Sequence, residues 1–417
     1  MLRVRVNGGV VLAVTLASAL LFGSCEQALD SDANTIVADS AGIRVVVSVG
    51  SRTYREVSEK PMLSIGSGNA ATPRTELGYV ADGLILSPLR VAIADYLASS
   101  VLLFDSLGAH LSTWGSPGQG PGEFGAIANV DRFRGDSVLV GEIGSRRLSV
   151  LNATGSFGRT ITPRLRPEVP PGYTPVVSCC QSWGAEIGSG TLLMTFPELV
   201  PTSGPGRRRS LVQLLTMSPR GDDARHTASF RGGDYRMDLE GAASPRPEHY
   251  PRGVSIAPRE GGFAVTDGIS YEVRFHATDG TVLTIARLER QRVPFRRAMR
   301  GATEEYLDRL EARVGAPEAS GFNQLRDQPY PDSLPAYTLL LTDDSGNAWA
   351  GSLHAARLGQ QPRFDVFAPD GRFLGQVLLP FDGRVLDVWQ GHLLAVVRDE
   401  LDVQSVVMYE TSEPVRE

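Results

Sequence analysis

Lysine is almost missing from this chain: of 41 basic residues, only Lys60 is not arginine. Charged residues make up 21% and the net charge is -6. No bulk basic field is available for a phosphate backbone, so nucleic-acid binding is excluded as a main role. The one basic run, Arg207–Arg209, stands among Gly, Pro and Ser and reads as a solvated loop. Cysteine is nearly as scarce. Cys25 is isolated, and Cys179 and Cys180 are adjacent. Three cysteines cannot staple a scaffold. Neighbouring Cα atoms lie ~3.8 Å apart across a trans peptide, so a vicinal disulfide is strained. Free thiols or a soft-metal site are the alternatives, and no His or third Cys stands nearby. The six histidines are scattered, with no HExxH, CxxC, GxSxG or paired-His spacing. His276 falls in a strand-like run and reads as a packed residue.

Long apolar runs are also lacking, with one exception. Val10–Phe22 is uncharged and apolar, but shorter than the ~20 residues a spanning helix needs. Arg3 and Arg5 precede it, and Gly23, Ser24 and Cys25 follow. This order predicts a secretory signal over residues 1–24. "LFGSC" resembles the lipobox of bacterial lipoproteins, with Phe22 where Leu is usual. That resemblance implies a lipid on Cys25, a short polar tether over 25–40, and an exported, membrane-anchored protein facing the periplasm or cell exterior. The alternative is an ordinary signal peptide with Cys25 as a bystander.

What the chain has is a repeat. Val91–Gly108, Val138–Gly155 and Phe263–Gly280 align without a gap. Each is an apolar run, an acid, a short polar turn, a second apolar run and a final Gly. Each run has the length of a strand bounded by turn residues. Looser copies are Leu192–Gly221 with a long insertion, Ala348–Gly371 with a longer turn, and Leu394–Glu410. Strand-like runs flank the hairpins, such as His110–Gly115 and Arg384–Gln390. Two hairpin strands with one before and one after give four-stranded sheets. Radial repetition of such sheets is the propeller architecture. Met62–Gly66 has no repeat of its own, and the last repeat lacks an outer strand. An N-terminal strand is therefore expected to close the last of six blades, over residues 41–411 with a tail at 412–417. Ile43–Gly50 is left as a further candidate for that closure.

Gly115–Gly125, "GSPGQGPGEFG", follows an outer strand and precedes an inner one. A phosphate loop needs a following helix and, in the Walker type, a Lys; neither is here. The glycines suit an inter-blade crossover. Glu76-Leu77-Gly78 echoes Glu123-Phe124-Gly125 one repeat earlier. "GxGPGEF" and "VxVAD"-like runs, here Gly118–Phe124 and Val91–Asp95, make the chain similar to six-bladed β-propeller lipoproteins with NHL-like repeats. The likeness covers roughly residues 40–410 and implies the fold class, all-β, more than any activity. One segment departs from it. Phe295, Met299, Ala302, Tyr306 and Leu310 recur at helical spacing, predicting an amphipathic helix in an insertion over about 293–335. It is either packed on its own propeller or a lid or docking helix over one face.

Asp95, Glu142 and Asp267 hold one register in three repeats; Ser352 takes that place in the Ala348 unit. Carboxylates gathered on one face can bind Ca²⁺ or Mg²⁺. The resemblance implies that propeller lactonases and lyases place metals near there, with His354 as a candidate base. Equally, an acid ending a strand can fix its hairpin by accepting turn N–H bonds. Glu123 and Glu76 carry the same two readings. The sequence therefore favours a monomeric, cofactor-free module that binds a protein, peptide or glycan. The alternative is a metal-dependent hydrolase or lyase.

Overall fold

The runs around Val91, Val138, Phe263, Ala348 and Leu394 show little polar alternation. A strand reads that way when both of its faces are covered. In the computed structural model each is the second strand of a sheet packed between neighbours. Arg90–Asp95 and Ser137–Glu142 are buried at every position after the first, and Ala348–Gly351 throughout. Outer strands alternate instead, as in Val282–Leu288. The structure describes residues 28–413, apart from 30–34, 67–75, 87–88, 143–146, 166–167, 177–183, 203–205, 238–245, 315–325, 355–357 and single positions 135, 153, 197, 353, 359 and 402. Cys25, the signal segment, Cys179 and Cys180 lie outside the described residues.

Sheet I pairs Val80–Leu86, Arg90–Asp95, Ser100–Phe104 and His110–Trp114, antiparallel and in chain order. Sheet II repeats this with Ile127–Phe133, Ser137–Glu142, Leu148–Leu151 and Phe157–Ile161. Sheet III is built on Gly184–Glu186, Leu192–Thr195, Gly206–Met217 and Arg225–Met237, and is widened to seven strands by its insertion. Sheet IV holds Ser255–Arg259, Gly262–Thr266, Glu272–Ala277 and Val282–Leu288. Sheet V holds Leu339–Thr342, Ala348–Gly351, Arg363–Phe367 and Phe373–Leu378. Sheet VI holds Gly383–Trp389, His392–Arg398, Gln404–Glu410 and, as its outermost strand, Leu63–Ile65. First strands touch in succession: I with II, II with III, III with IV, IV with V, V with VI, and VI with I. The architecture is a β-propeller, nearly all β, with one α-helix among the described residues.

Two expectations need correction. Ile43–Ser48 takes no part in sheet VI. It pairs parallel with Val282–Leu288, Val45 opposite Ile285, and extends sheet IV at its outer edge. Val46 fills the gap to sheet V: it is fully buried, and a Cβ on Gly371 would come within 2.7 Å of it. Any outer strand offers the same unpaired edge, so alternation alone could not choose the partner. Nor is 25–40 a tether throughout. Thr35–Ser40 pairs with Ile43–Ser48, and Ala28–Leu29 pairs with Val37 and Ile36. From there the chain belts the rim. Thr53 bridges Gln376 of sheet V, and Val57 bridges Thr411 beyond sheet VI.

The glycine-rich crossover between sheets I and II winds around Phe124, which is almost fully buried. Ser116–Pro117 pairs with Glu123–Phe124. Glu123 accepts the Gly120 N–H at 2.8 Å. Gly115 has φ 84, and a Cβ there would lie 2.2 Å from the Phe124 ring. The helix Arg297–Val314 follows sheet IV on the same face. Its inner side is Met299, Ala302, Thr303, Tyr306 and Leu307, close to the predicted stripe. Tyr250 and Thr303 hydroxyls meet at 2.6 Å, and Tyr330 stacks between Phe295 and His249.

Candidate functional site

Asp95 and Glu142 end the second strands of sheets I and II, each opposite the first residue of the inner strand. Both side chains are buried. Asp95 accepts N–H bonds from Gly78, Tyr79, Leu97 and Ala98 at 2.7–3.3 Å. Glu142 accepts from Gly125 at 2.7 Å and forms a two-pronged ion pair with Arg147 at 2.5 and 2.8 Å. Gly78 and Gly125 are the repeated glycines of "ELG" and "EFG". The repeated acid thus captures the N–H of the repeated glycine and ties each crossover to its own hairpin. Arg147 extends the clamp to the Gln119 and Glu123 carbonyls. Its bond to Glu142 holds the guanidinium above its ordinary value.

Asp267 differs. It is half-exposed, accepts the Ile269 N–H at 2.9 Å and faces Arg274 at 3.8 Å. His354 sits beyond the Ser352 position and meets Tyr250 edge-on at 4.7 Å. Of the predicted residues, Glu123 lies in the crossover, joined to Glu142 through Arg147, and the others lie in separate hairpins. Among the described residues, no group of three or more His, Cys, Asp or Glu is placed to hold a metal ion.

Charge gathers instead in the central channel, a cavity of about 1300 Å³ walled by inner strands. Asp82 of sheet I accepts the N–H groups of Gly83 and of Val130 in sheet II. Asp387 of sheet VI accepts the Ile85 N–H at 2.8 Å. Arg132 of sheet II reaches past sheet I to Asp387 at 2.5 Å and also donates to the Ile85 carbonyl. Its guanidinium lies 3.7 Å from the centroid of the Trp389 ring. Arg384 donates to the Val80 and Ala81 carbonyls. Burial pushes Asp82 up to about 7, against the pull of Arg384 and two N–H bonds. Burial likewise pushes Asp131 up to about 7, opposed by Arg132. At the channel mouth Tyr79 and Tyr96 meet edge-on at 5.9 Å, beside an exposed Leu97.

Sequence reasoning missed this cluster. A polar residue inside an inner strand, as in "VADGLIL" or "RVLDVW", is the available signal. These acids are not in register with one another: Asp82 aligns with Asn129, which donates to Gly184 of sheet III instead.

No family model matches the sequence, and no curated protein matches it. Solved structures similar to this chain include an aldose sugar dehydrogenase from Streptomyces coelicolor in its PQQ-bound form. It is 12% identical over 87% of this chain and all of that one, with a TM-score of 0.43. A streptogramin B lyase is 9% identical over 80% and 96% of the two chains, with a TM-score of 0.37. The calcium-binding protein regucalcin from Agrobacterium tumefaciens is 13% identical over 87% and 96%, with a TM-score of 0.35.

Proposed function

We propose that this protein is a six-bladed propeller closed by Leu63–Ile65, exported, anchored by lipid on Cys25, and acting as a non-catalytic binding module. The ring reading rests on the cyclic succession of inner-strand contacts. The export and anchor readings rest on the signal-like segment and the lipobox-like "LFGSC". One observation carries the binding reading: Tyr79, Tyr96 and Leu97 crowd the mouth of a large channel, with Tyr79 43% and Leu97 67% exposed. Rings with one apolar body and one polar tip suit a protein, peptide or glycan surface. Two of the three acids that would serve a metal enzyme are engaged elsewhere, Asp95 by backbone N–H groups and Glu142 by the Gly125 N–H and Arg147.

The test has two arms. Peptide and glycan arrays probed with the mature protein should yield ligands lost on Tyr79→Ala and Tyr96→Ala. Thermal melts with EDTA, then Ca²⁺ or Mg²⁺, should show no shift. A ligand at 100 times its Kd adds ~2.7 kcal/mol, a readable change. A metal-dependent rise abolished by Asp95→Ala would overturn the reading in favour of a metal-dependent hydrolase or lyase. Anchoring is checked separately: Cys25→Ala should move the protein from the membrane to the soluble fraction.

A further inference from the structure

A second cavity, of about 480 Å³, opens between sheets IV and V on the face that carries the helix. Its floor is Asp365, 2% exposed. That carboxylate is fully engaged. It accepts from Arg290 at 2.7 and 3.2 Å, from the Tyr337 hydroxyl at 2.8 Å and from Gln376 at 2.7 Å. The pair with Arg290 cancels both charges, and no lone pair is left to attract a cation.

One charge in the lining stays uncancelled. Arg363 begins the third strand of sheet V, is exposed, and has no ion pair or hydrogen bond among the described residues. Beside it the Tyr271 ring is buried under the Arg290 guanidinium at 5.0 Å, and its hydroxyl makes no hydrogen bond among the described residues. Leu334, Ala336 and Leu378 give the lining an apolar side, and Ser352, His354, Gln360 and Gln361 give it a polar one. A cavity of this size, with an apolar side and convergent polar groups, is an ordinary form of a small-molecule site.

We propose that this cavity binds a small organic carboxylate with an apolar body. The planar fork of Arg363 matches a carboxylate, the Tyr271 hydroxyl supplies a second donor, and the body lies against Leu334 and Leu378. The site is independent of the channel and of the reading given to it. It also abuts the neck of the insertion, where the Leu334 N–H donates to Val293 and the Phe295 N–H to Asp332.

The test uses phenylacetate as the probe and its neutral amide, phenylacetamide, as the control. Binding to the mature protein is followed by calorimetry or ligand-observed NMR. Phenylacetate should bind at least about tenfold tighter than the amide, the factor of one charge-assisted hydrogen bond. Arg363→Gln should remove that preference, Arg363→Lys should keep part of it, and Asp131→Asn in the channel should leave it unchanged. Arg363 is a surface residue, so an unaltered melting curve will separate lost binding from lost folding. Equal binding of acid and amide, full binding by Arg363→Gln, or no phenylacetate binding at about 10 mM would each overturn the proposal.

Discussion

Sheets VI, I and II meet through charged side chains; sheets III, IV and V meet through rings. At the first seam the core is mostly aliphatic, with Ile85, Ile93, Leu386, Leu394 and Val406. Aliphatic contact has no direction, and one strand can slide on another at little cost. Asp387, Arg132, Asp82 and Arg384 add direction by bonding to particular N–H and carbonyl groups of the next sheet. On the opposite side, Phe230 of sheet III meets Phe263 and His276 of sheet IV at 6.5 and 5.6 Å, and Tyr271 beside sheet IV meets Tyr337 beside sheet V at 5.3 Å. Interlocked rings fix register by shape. The sheets are therefore held in register by two different devices, and they should fail differently.

The largest effect is expected at the charged seam. Asp387→Ala leaves the Arg132 guanidinium and the Ile85 N–H without their acceptor. Breaking such a pair costs about 3–5 kcal/mol, read as a lower urea midpoint. The double variant Arg132→Met with Asp387→Leu should recover part of that loss, because neither charge is then stranded. Next is Gly115→Ala, which sets a Cβ against the Phe124 ring and forces a positive φ on alanine. A loss of about 1–3 kcal/mol is expected in the same measurement. The repeated acids sharpen the comparison within one register. Glu142→Gln, which breaks a buried ion pair, should cost about 2 kcal/mol, whereas Asp267→Asn at a half-exposed turn should cost about 0.5 kcal/mol or less. On the aromatic side, Tyr250→Phe removes one hydroxyl contact to Thr303. It should cost about 1 kcal/mol, confined to hydrogen-exchange protection of the helix.

A separate test is a slope with pH. Asp82 and Asp131 rise from 3.8 to about 7 on folding. Between those values the folded chain binds more protons than the unfolded one. Their contribution to stability therefore falls as pH rises from about 4 to about 7. His276, lowered by burial, contributes a slope of opposite sign on its acid side. The doubly substituted Asp82→Asn, Asp131→Asn chain should lose the falling component, visible as a difference between the two melting profiles. Parallel profiles would refute the assignment.

Much of the propeller was legible because the repeat is written in hairpins. A strand covered on both faces announces itself as an apolar run, and a turn as Asp or Asn with Gly. Asp95 and Glu142 were legible as a register and ambiguous as chemistry, since the same acid can face a metal or a turn. The N–H of Gly78 or Gly125 decides what each touches, and that N–H carries no side-chain signal. The Arg132–Asp387 pair was invisible because its partners lie far apart in the chain and occupy no shared repeat position. The edge pairing of Ile43–Ser48 was unreadable for the reason that makes edge strands hazardous: their partners are interchangeable.

Sheet VI has a consequence during synthesis. Its outermost strand, Leu63–Ile65, leaves the ribosome long before Gln404–Glu410, the strand it pairs with. Through most of translation the nascent chain holds one strand with no partner. Two chains on one messenger could each complete the other's last sheet, giving a strand-swapped dimer from the contacts of the monomer. The belt over sheets IV, V and VI opposes that exchange. It lays residues 43–57 along sheets of their own chain and so keeps Leu63–Ile65 close to home.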